Sequence, residues 1–334
     1  MEEIAVLVSA LKRQGPSLGA LAFQNLHIKN NSNCSLITRW TSLHEDNLNE
    51  KIKVSSTYLK MWFLLNTFSK AKTKISFDLK VDLVNILSKG RSIIYLRANN
   101  RENYTDTFGK YRGVLLYEFH KLILHRADVI YALSKTMKEE YRDTSHIYQK
   151  IKVIPNFIDE RLDHELIKRK NTFLIVASII PRKRVLETVK AFISEFHGTT
   201  NVSLTVIGDG VLRVKLEEYV SKCHFKCNIE FITESIDPSP YFAFHEYFIL
   251  MSLSEGLSRA SLEAANSGCK LLLSNIDVHK EYFGETGLLL DNFKDLKKAL
   301  RDCYDSEDNY LCPSFPLDCA QSLVWTKLTK TNKK

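Results

Sequence analysis

Short runs rich in aliphatic and β-branched residues alternate along this chain with stretches in which apolar positions return every three or four residues. That alternation predicts βαβ units and parallel sheets. In the first half, IAVLVS (4–9), SLIT (35–38), SIIYLR (92–97), DVIYAL (128–133) and KVI (152–154) read as strands. Residues 111–126 and 135–142 read as helices, the second entered through Ser134 as N-cap. Residues 45–90 give no clear period. A charged stretch without strand pattern, DERLDHELIKRKN (159–171), follows Pro155-Asn156, and then the rhythm restarts. FLIVAS (173–178), SLTVIG (203–208), IEFIT (229–233), YFILMS (247–252), KLLLSN (270–275) and GLLLD (287–291) read as strands, with helices over 185–197, 211–222 and from about 257.

Strands this uniformly apolar are buried on both faces, as in doubly wound sheets. The pattern predicts an α/β protein of two Rossmann-like domains, 1–158 and 159–310, joined near 155–172. A C-terminal tail, 311–334, is expected to cross back to the first domain. In such sheets ligands bind at the carboxyl ends of the strands, so the loops that follow strands carry the candidate chemistry.

The length of 334 residues suffices for two domains with full cores. A net charge of +8, with clusters at KAKTK (70–74), RKR (182–184) and the terminal TNKK, suits an acidic partner, whether a nucleotide, a membrane surface or nucleic acid, and equally serves solubility alone. Seven scattered cysteines and an N-terminus without a signal-peptide pattern predict a reducing, cytoplasmic setting. Cys223-His224-Phe225-Lys226-Cys227 has no second ligand pair at a fitting distance, so no metal is expected there. The most apolar segment, YLKMWFLLNTF (58–68), is about half the length of a spanning helix. Within KVSSTYLKMWFLLNTFSKAKTK (53–74), Trp62 and Phe63 are edged by Lys53, Lys60, Lys70, Lys72 and Lys74. This segment reads either as a helix lying in the interface of an anionic membrane or as one packed on the first domain's sheet.

The densest chemistry is in SEGLSRASLEAANSGCKLLLSN (254–275), where Glu255 and Glu263 lie eight positions apart. On one continuous helix they would be roughly 12 Å apart and about 80° around the axis. Carboxylates flanking one scissile bond work at roughly 5 to 9.5 Å, which disfavours a glycosidase-style pair. The alternative puts Glu255 in the loop after a strand, the amides of Gly256 and Leu257 at a helix start that attracts phosphate, and Glu263 two turns on. A ligand with a diphosphate at one end and a ribose at the other spans that arrangement. Two solvated carboxylates on a surface helix would give the same spacing.

Three further features fall at strand ends. In LKRQGPSLGA (11–20), a Gly15 turn followed by Pro16 at a helix start, with Gly19 inside the helix, lets backbone approach a ligand, or is a plain turn. ASIIPRKR (177–184) puts Arg182, Lys183 and Arg184 after the first strand of the second domain, where cations suit a diphosphate or simply form a charged helix entry. Gly208-Asp209-Gly210 ends the next strand and leaves room for a flat base, or is an ordinary turn. No Asp-x-Asp triplet occurs in the chain. A transferase that grips its sugar nucleotide through a metal is therefore disfavoured, and the leaving-group charge falls to cations and amides.

The order ADVIYALSKTMKEEY, KVIPNFID, FLIVASIIPRKRVLETVKAF, LTVIGDG, SEGLSRASLEAANSGCKLLLSN and GETGLLLDN resembles the retaining GT-B glycosyltransferases of the GT4 family. The likeness is strong over roughly 125–292 and weaker in the first 30 residues. It implies two Rossmann-like domains facing across a donor/acceptor cleft, and transfer of a sugar from a nucleotide diphosphate-sugar, a UDP-sugar, with retention. By resemblance, Glu255 faces the donor sugar, Glu263 the ribose, and Gly256 and Leu257 the diphosphate. Lys183, with Arg182, supplies the catalytic cation, while Gly15, Ser178, Gly208 and Gly210 line the donor site. The family usually carries a Gly-Arg pair where this chain has Ala177-Ser178, which leaves Lys183 and Arg182 more to do. Its first-domain His has no counterpart in YLRANNREN (95–103), where Arg97 or Asn99 takes that place.

The implied reaction needs no cofactor and no metal. The acceptor is expected to be a saccharide, lipid-linked, in cell-surface polysaccharide assembly at the inner face of the plasma membrane. A GT-B sugar-nucleotide epimerase is a second reading, against which Pro155-Asn156 followed by the E-x7-E element argues. A nucleic-acid-binding protein is a third, and it would call for basic residues interleaved with aromatics on one face, which the chain does not display.

Overall fold

The computed structural model describes residues 3–9, 20–21, 23–24, 33–38, 52–54, 58–63, 65–66, 71–156, 168–223, 228–233 and 237–305. These residues form two compact units, one up to 156 and one from 168. The expected tail 311–334 lies outside the described residues.

The first unit is a seven-stranded sheet ordered β3-β2-β1-β4-β5-β6-β7, every neighbouring pair parallel. Its strands are β1 (Glu3–Val8), β2 (Asn33–Thr38), β3 (Ile52–Val54), β4 (Thr73–Ser76), β5 (Arg91–Leu96), β6 (Val129–Ala132) and β7 (Ile151–Val153). The helices are α1 (Tyr58–Phe63), α2 (Leu79–Leu87), α3 (Asn100–Phe108), α4 (Lys110–Arg126), α5 (Lys135–Glu139) and α6 (Ser145–Lys150). Ser134 caps α5 as expected, its Oγ accepting from Met137 N at 3.1 Å.

The stretch without a legible period, 45–90, contains β3, α1, β4 and α2. Strand β4 escaped pattern reading because three of its four residues are polar, yet all four are buried between β1 and β5. Asn85 makes that burial affordable by donating through Nδ2 to Ser76 Oγ at 3.0 Å and to Ile93 O at 2.9 Å. Burial also holds the Lys74 amine below its ordinary pKa.

A buried polar network ties the helices of this unit together. Asn100 Nδ2, a donor only, lies 3.4 Å from His120 Nδ1, which makes that nitrogen an acceptor. The ring proton then sits on Nε2 and is donated to Asp82 Oδ2 at 3.0 Å, while Tyr104 donates to Nδ1 at 3.0 Å. Burial raises the Asp82 carboxyl, against the opposing pull of His120.

Glu140, just after α5, accepts from Arg101 N at 3.1 Å at the first turn of α3. Burial lifts its carboxyl from 4.5 to about 7, only partly offset by the Arg101 and Asn100 amides and the Tyr117 hydroxyl, with Glu102 adding to the rise. A raised acid pKa means that the folded state binds the extra proton. Its stabilising contribution is full below the unfolded value and is lost as pH rises through about 7. Glu140→Gln should therefore match the parent near pH 4 and exceed it near pH 8 by up to about 3 kcal/mol, read from urea unfolding at both pH values.

The second unit is a six-stranded parallel sheet ordered β10-β9-β8-β11-β12-β13. Its strands are β8 (Arg169–Val176), β9 (Ser203–Ile207), β10 (Asn228–Ile232), β11 (His245–Leu250), β12 (Lys270–Ser274) and β13 (Gly287–Leu290). Its helices are α7 (Val185–Glu195), α8 (Arg213–Lys222), α9 (Ser239–Phe244), α10 (Arg259–Asn266), α11 (Asp277–Phe283) and α12 (Phe293–Asp305). Phe173, Phe192, Phe196 and Tyr247 interlock in its core, with Phe173 and Tyr247 stacked at 4.7 Å.

The order of the second sheet sets where a ligand fits. The chain runs outward through β8, β9 and β10, then returns to the other side of β8 for β11, β12 and β13. The loops after β8 and β11 therefore diverge, and between them lies the switch point of the sheet, where open α/β folds bind ligands. No described helix is long and apolar enough to cross a membrane.

Candidate functional site

At that switch point the two loops are stitched together by charge. After β8 the chain makes a single 3-10 turn, Pro181–Lys183. Lys183 Nζ forms a short ion pair with Glu255 Oε1 from the loop after β11. The same oxygen accepts from Ser252 Oγ at 2.6 Å, and Ser252 O in turn accepts from Ser274 Oγ at 2.7 Å. Arg182 Nη1 donates to Ser254 O at 2.6 Å, and Arg182 O accepts from Leu253 N at 2.9 Å. Both cations of the first loop are thus fixed against the second.

Glu255 is buried, and burial alone would raise its carboxyl. The Lys183 and Arg182 cations, with hydrogen bonds from Lys183 and Ser252, outweigh that and hold it below the ordinary carboxylate value. The site therefore carries a preformed anion that two cations flank. Arg184, the third cation of the sequence cluster, goes elsewhere: its backbone is left-handed at φ 53° and its guanidinium covers the Phe293 ring at 4.2 Å.

Helix α10 begins at Arg259, two residues later than the pattern suggested, because Ser258 caps it by accepting from Ser261 N at 3.2 Å. Gly256 and Leu257 are buried in the turn ahead of the cap and do not belong to the first helical turn. The start of α10 still lies at the carboxyl end of β11. Glu263 sits on α10 and is held by Arg259, whose Nε and Nη2 donate to Oε1 at 3.2 and 2.9 Å. Both side chains remain partly accessible.

The two glycines after β9 allow a close backbone approach. A Cβ on Gly208 would lie 2.0 Å from Ala177 O, and one on Gly210 would lie 2.5 Å from Ile179 O. The segments 177–180 and 208–212 run backbone against backbone, with Ile179 N donating to Asp209 O at 2.7 Å and Leu212 N to Ile179 O at 3.0 Å. Arg213 pins the far side by donating to Gly208 O at 2.6 Å and to Ile232 O at 3.2 Å. Ser178 is exposed in the loop beside them.

Arg97 and Asn99 follow β5 in the first unit. The Arg97 guanidinium lies 5.7 Å from the Phe77 ring centroid, and Asn99 is the N-cap residue of α3 without a side-chain cap bond. Gly15 lies outside the described residues. Sequence reading missed Ser252, Arg259 and Arg213. Arg259 and Arg213 each carried one signal, a Glu four residues on at Glu263 and Glu217. Among the described residues no cluster of three or more His, Cys, Asp or Glu is arranged to hold a metal ion.

Residues 170–306 match the family model described as glycosyl transferases group 1. The O-antigen biosynthesis glycosyltransferase WbnH of Escherichia coli is 28% identical over 189 residues, which are 55% of this chain and 52% of that protein. An uncharacterized glycosyltransferase of Methanocaldococcus jannaschii is 22% identical over 242 residues, 63% of this chain and 58% of that one. The chain spans about half the length of these curated relatives. Among solved structures, Anabaena HepE in complex with UDP-glucose matches with a TM-score of 0.80 at 13% identity, over 99% of this chain and 100% of that one. The fold is GT-B.

Proposed function

We propose that the chain is a retaining glycosyltransferase of the GT4 type that moves a sugar from a UDP-sugar to a lipid-linked saccharide in cell-surface polysaccharide assembly. The observation that carries this reading is the Lys183–Glu255 pair spanning the sheet's switch point, with Arg182 beside it and the start of α10 behind it. The name of the Escherichia coli relative, which speaks of O-antigen biosynthesis, and the UDP-glucose held by HepE support the same class.

In this reading the reaction passes through an oxocarbenium-like state while negative charge grows on the departing diphosphate. Lys183 and Arg182, partly buried and already held at the switch point, meet that charge from nearby. The leaving phosphate takes the acceptor proton, so no second catalytic carboxylate is required. Glu255 holds the Lys183 ammonium in place before the donor arrives and faces the sugar once the diphosphate competes for that cation. No metal is needed, because the two cations do its work.

Glu263 acts on the ribose hydroxyls. Glu263→Ala should raise the donor dissociation constant by roughly 5- to 150-fold, which is the ~1 to 3 kcal/mol of hydrogen bonds left unmade, with a smaller change in kcat. Calorimetric titration with UDP-sugars reads this directly. Glu263→Gln, which keeps an acceptor toward the ribose, should recover most of the loss. Equal affinity in all three proteins would remove Glu263 from the donor site.

A further inference from the structure

Behind the Lys183–Glu255 pair lies a buried histidine. The pairing of β11 with β12 ends at Leu250 and Leu273. Beyond it the two chains are joined through side chains: Ser274 Oγ donates to Ser252 O at 2.7 Å, and Ser252 Oγ donates to Glu255 Oε1 at 2.6 Å. Ser274 O accepts twice, from Ile276 N at 2.9 Å and from Nδ1 of His279 on α11 at 2.8 Å. A continuous run of hydrogen bonds and backbone thus leads from His279 to the carboxylate that grips Lys183.

A carbonyl cannot donate, so Nδ1 of His279 carries a proton. Burial lowers the pKa of the ring, against the Ser274 bond and Glu255, with Lys183 adding to the fall, so the ring is neutral and its Nε2 is a bare lone pair. Nε2 has no hydrogen-bond partner among the described residues, and the ring, fully buried, meets Phe283 edge-on with centroids 6.2 Å apart. Packing does not account for this choice, because an aliphatic side chain would fill the space without stranding an acceptor. What the imidazole adds is a donor to Ser274 O that brings no charge. The charged groups that reach it are Glu255, from the loop after β11, and Lys183, from the turn after β8. On its own helix, exposed Asp277 and Lys280 pair with each other at 3.5 Å. A second proton on the ring would pull on Glu255 and push on Lys183, setting the two apart.

We propose that His279 is a positioning residue for the Lys183–Glu255 pair, holding the Ser274 carbonyl so that Ser274, through Ser252, keeps the Glu255 carboxylate aimed at Lys183. It touches neither donor nor acceptor and acts through the two serines alone. The inference rests on the proposed function for its purpose, while the arrangement itself is open to test without a sugar.

Carbon NMR of the full chain, labelled at its glutamate carboxyls and with Glu255 assigned by its absence in Glu255→Gln, reads that carboxylate directly. In the wild-type chain Glu255 should titrate below the ordinary glutamate range. His279→Leu, which fills the space and loses the donor, should move the titration upward, because a slackened Ser252 bond withdraws one of the contacts that favour the anion. His279→Asn, whose amide donates where Nδ1 does, should stay near the wild-type position. Ser274→Ala cuts the link one bond further on and should shift Glu255 as His279→Leu does, so the test survives should the leucine variant not fold. In a transfer assay, kcat should fall by up to roughly 10²-fold in His279→Leu and recover most of that in His279→Asn. Glu255 titrating alike in wild type, His279→Leu and Ser274→Ala, or shifting as far in His279→Asn as in His279→Leu, would overturn the proposal. A chain that transfers no sugar would overturn the enzyme reading, while the titrations still decide the role of His279.

Discussion

Lys183→Ala should lower the turnover of sugar transfer by about 10² to 10³, the usual cost of removing one preorganised group that meets transition-state charge. The effect should fall on donor affinity as well as on kcat, because the diphosphate is already anionic in the bound donor and gains further charge as the sugar leaves. The change also strands Glu255, which is buried and held below its ordinary pKa by Lys183 and Arg182. Breaking a buried pair on one side typically costs about 3 to 5 kcal/mol, so the variant should also melt earlier. The sign of the pH effect follows. A carboxylate depressed in the folded state stabilises above its unfolded pKa, and that contribution disappears as pH falls through its folded value. Without Lys183 this acid-side loss should become shallower. Lys183→Arg separates the two roles, since it keeps a cation for Glu255 while moving the charge relative to the diphosphate. It should restore much of the stability and less of the rate. Assays run well below the melting temperature of each variant keep unfolding out of the rate.

Gly208→Ala should be the most damaging small substitution in the second unit. The added Cβ would stand 2.0 Å from Ala177 O and 2.9 Å from Ala177 C, both backbone atoms, at φ +154°. Neither partner is free to move. Ala177 N is bonded to Ile207 O at 3.0 Å, and Gly208 N to Ile232 O at 3.1 Å, so relief means opening the β8–β9–β10 edge. A cost of about 3 kcal/mol or more is expected, which for a unit of this size lowers Tm by roughly 6 to 12 °C. Gly198→Ala is the control. It too has positive φ, at +90°, but nothing lies within 4 Å of its Cβ. It should cost only about 1 kcal/mol, the price of the backbone conformation alone. A similar small loss at Gly208 would mean that the backbone contact is looser than its geometry.

The second unit was legible because each of its strands contains a run of apolar residues and the loops after β8, β9 and β11 carry their own signs: a basic cluster, a glycine pair, an E-x7-E element. Those signals located Lys183, Arg182 and Glu255 in two loops, and the strand order then brought the loops together, which no local pattern encodes. Ser252 was invisible for the same reason, since a serine before a glutamate says nothing until the turn folds its hydroxyl onto Oε1. The glycines at 208 and 210 were correctly singled out as a strand end. Their physical role is a backbone contact with a segment thirty residues away, which spacing cannot report. In the first unit, β4 was missed because its threonine, lysine and serine are polar yet buried in the middle of the sheet, with Ser76 met by Asn85 from α2.

The most direct test of the central claim is thermal unfolding of wild type and Lys183→Ala against a panel of nucleotide sugars, in EDTA. At 100 times its dissociation constant, a ligand of the native state adds about 2.7 kcal/mol. The account predicts that a UDP-sugar raises the wild-type Tm by several degrees without any metal, and that Lys183→Ala loses most of that shift. A wild-type protein that no nucleotide sugar stabilises, or one stabilised equally with and without Lys183, would contradict it.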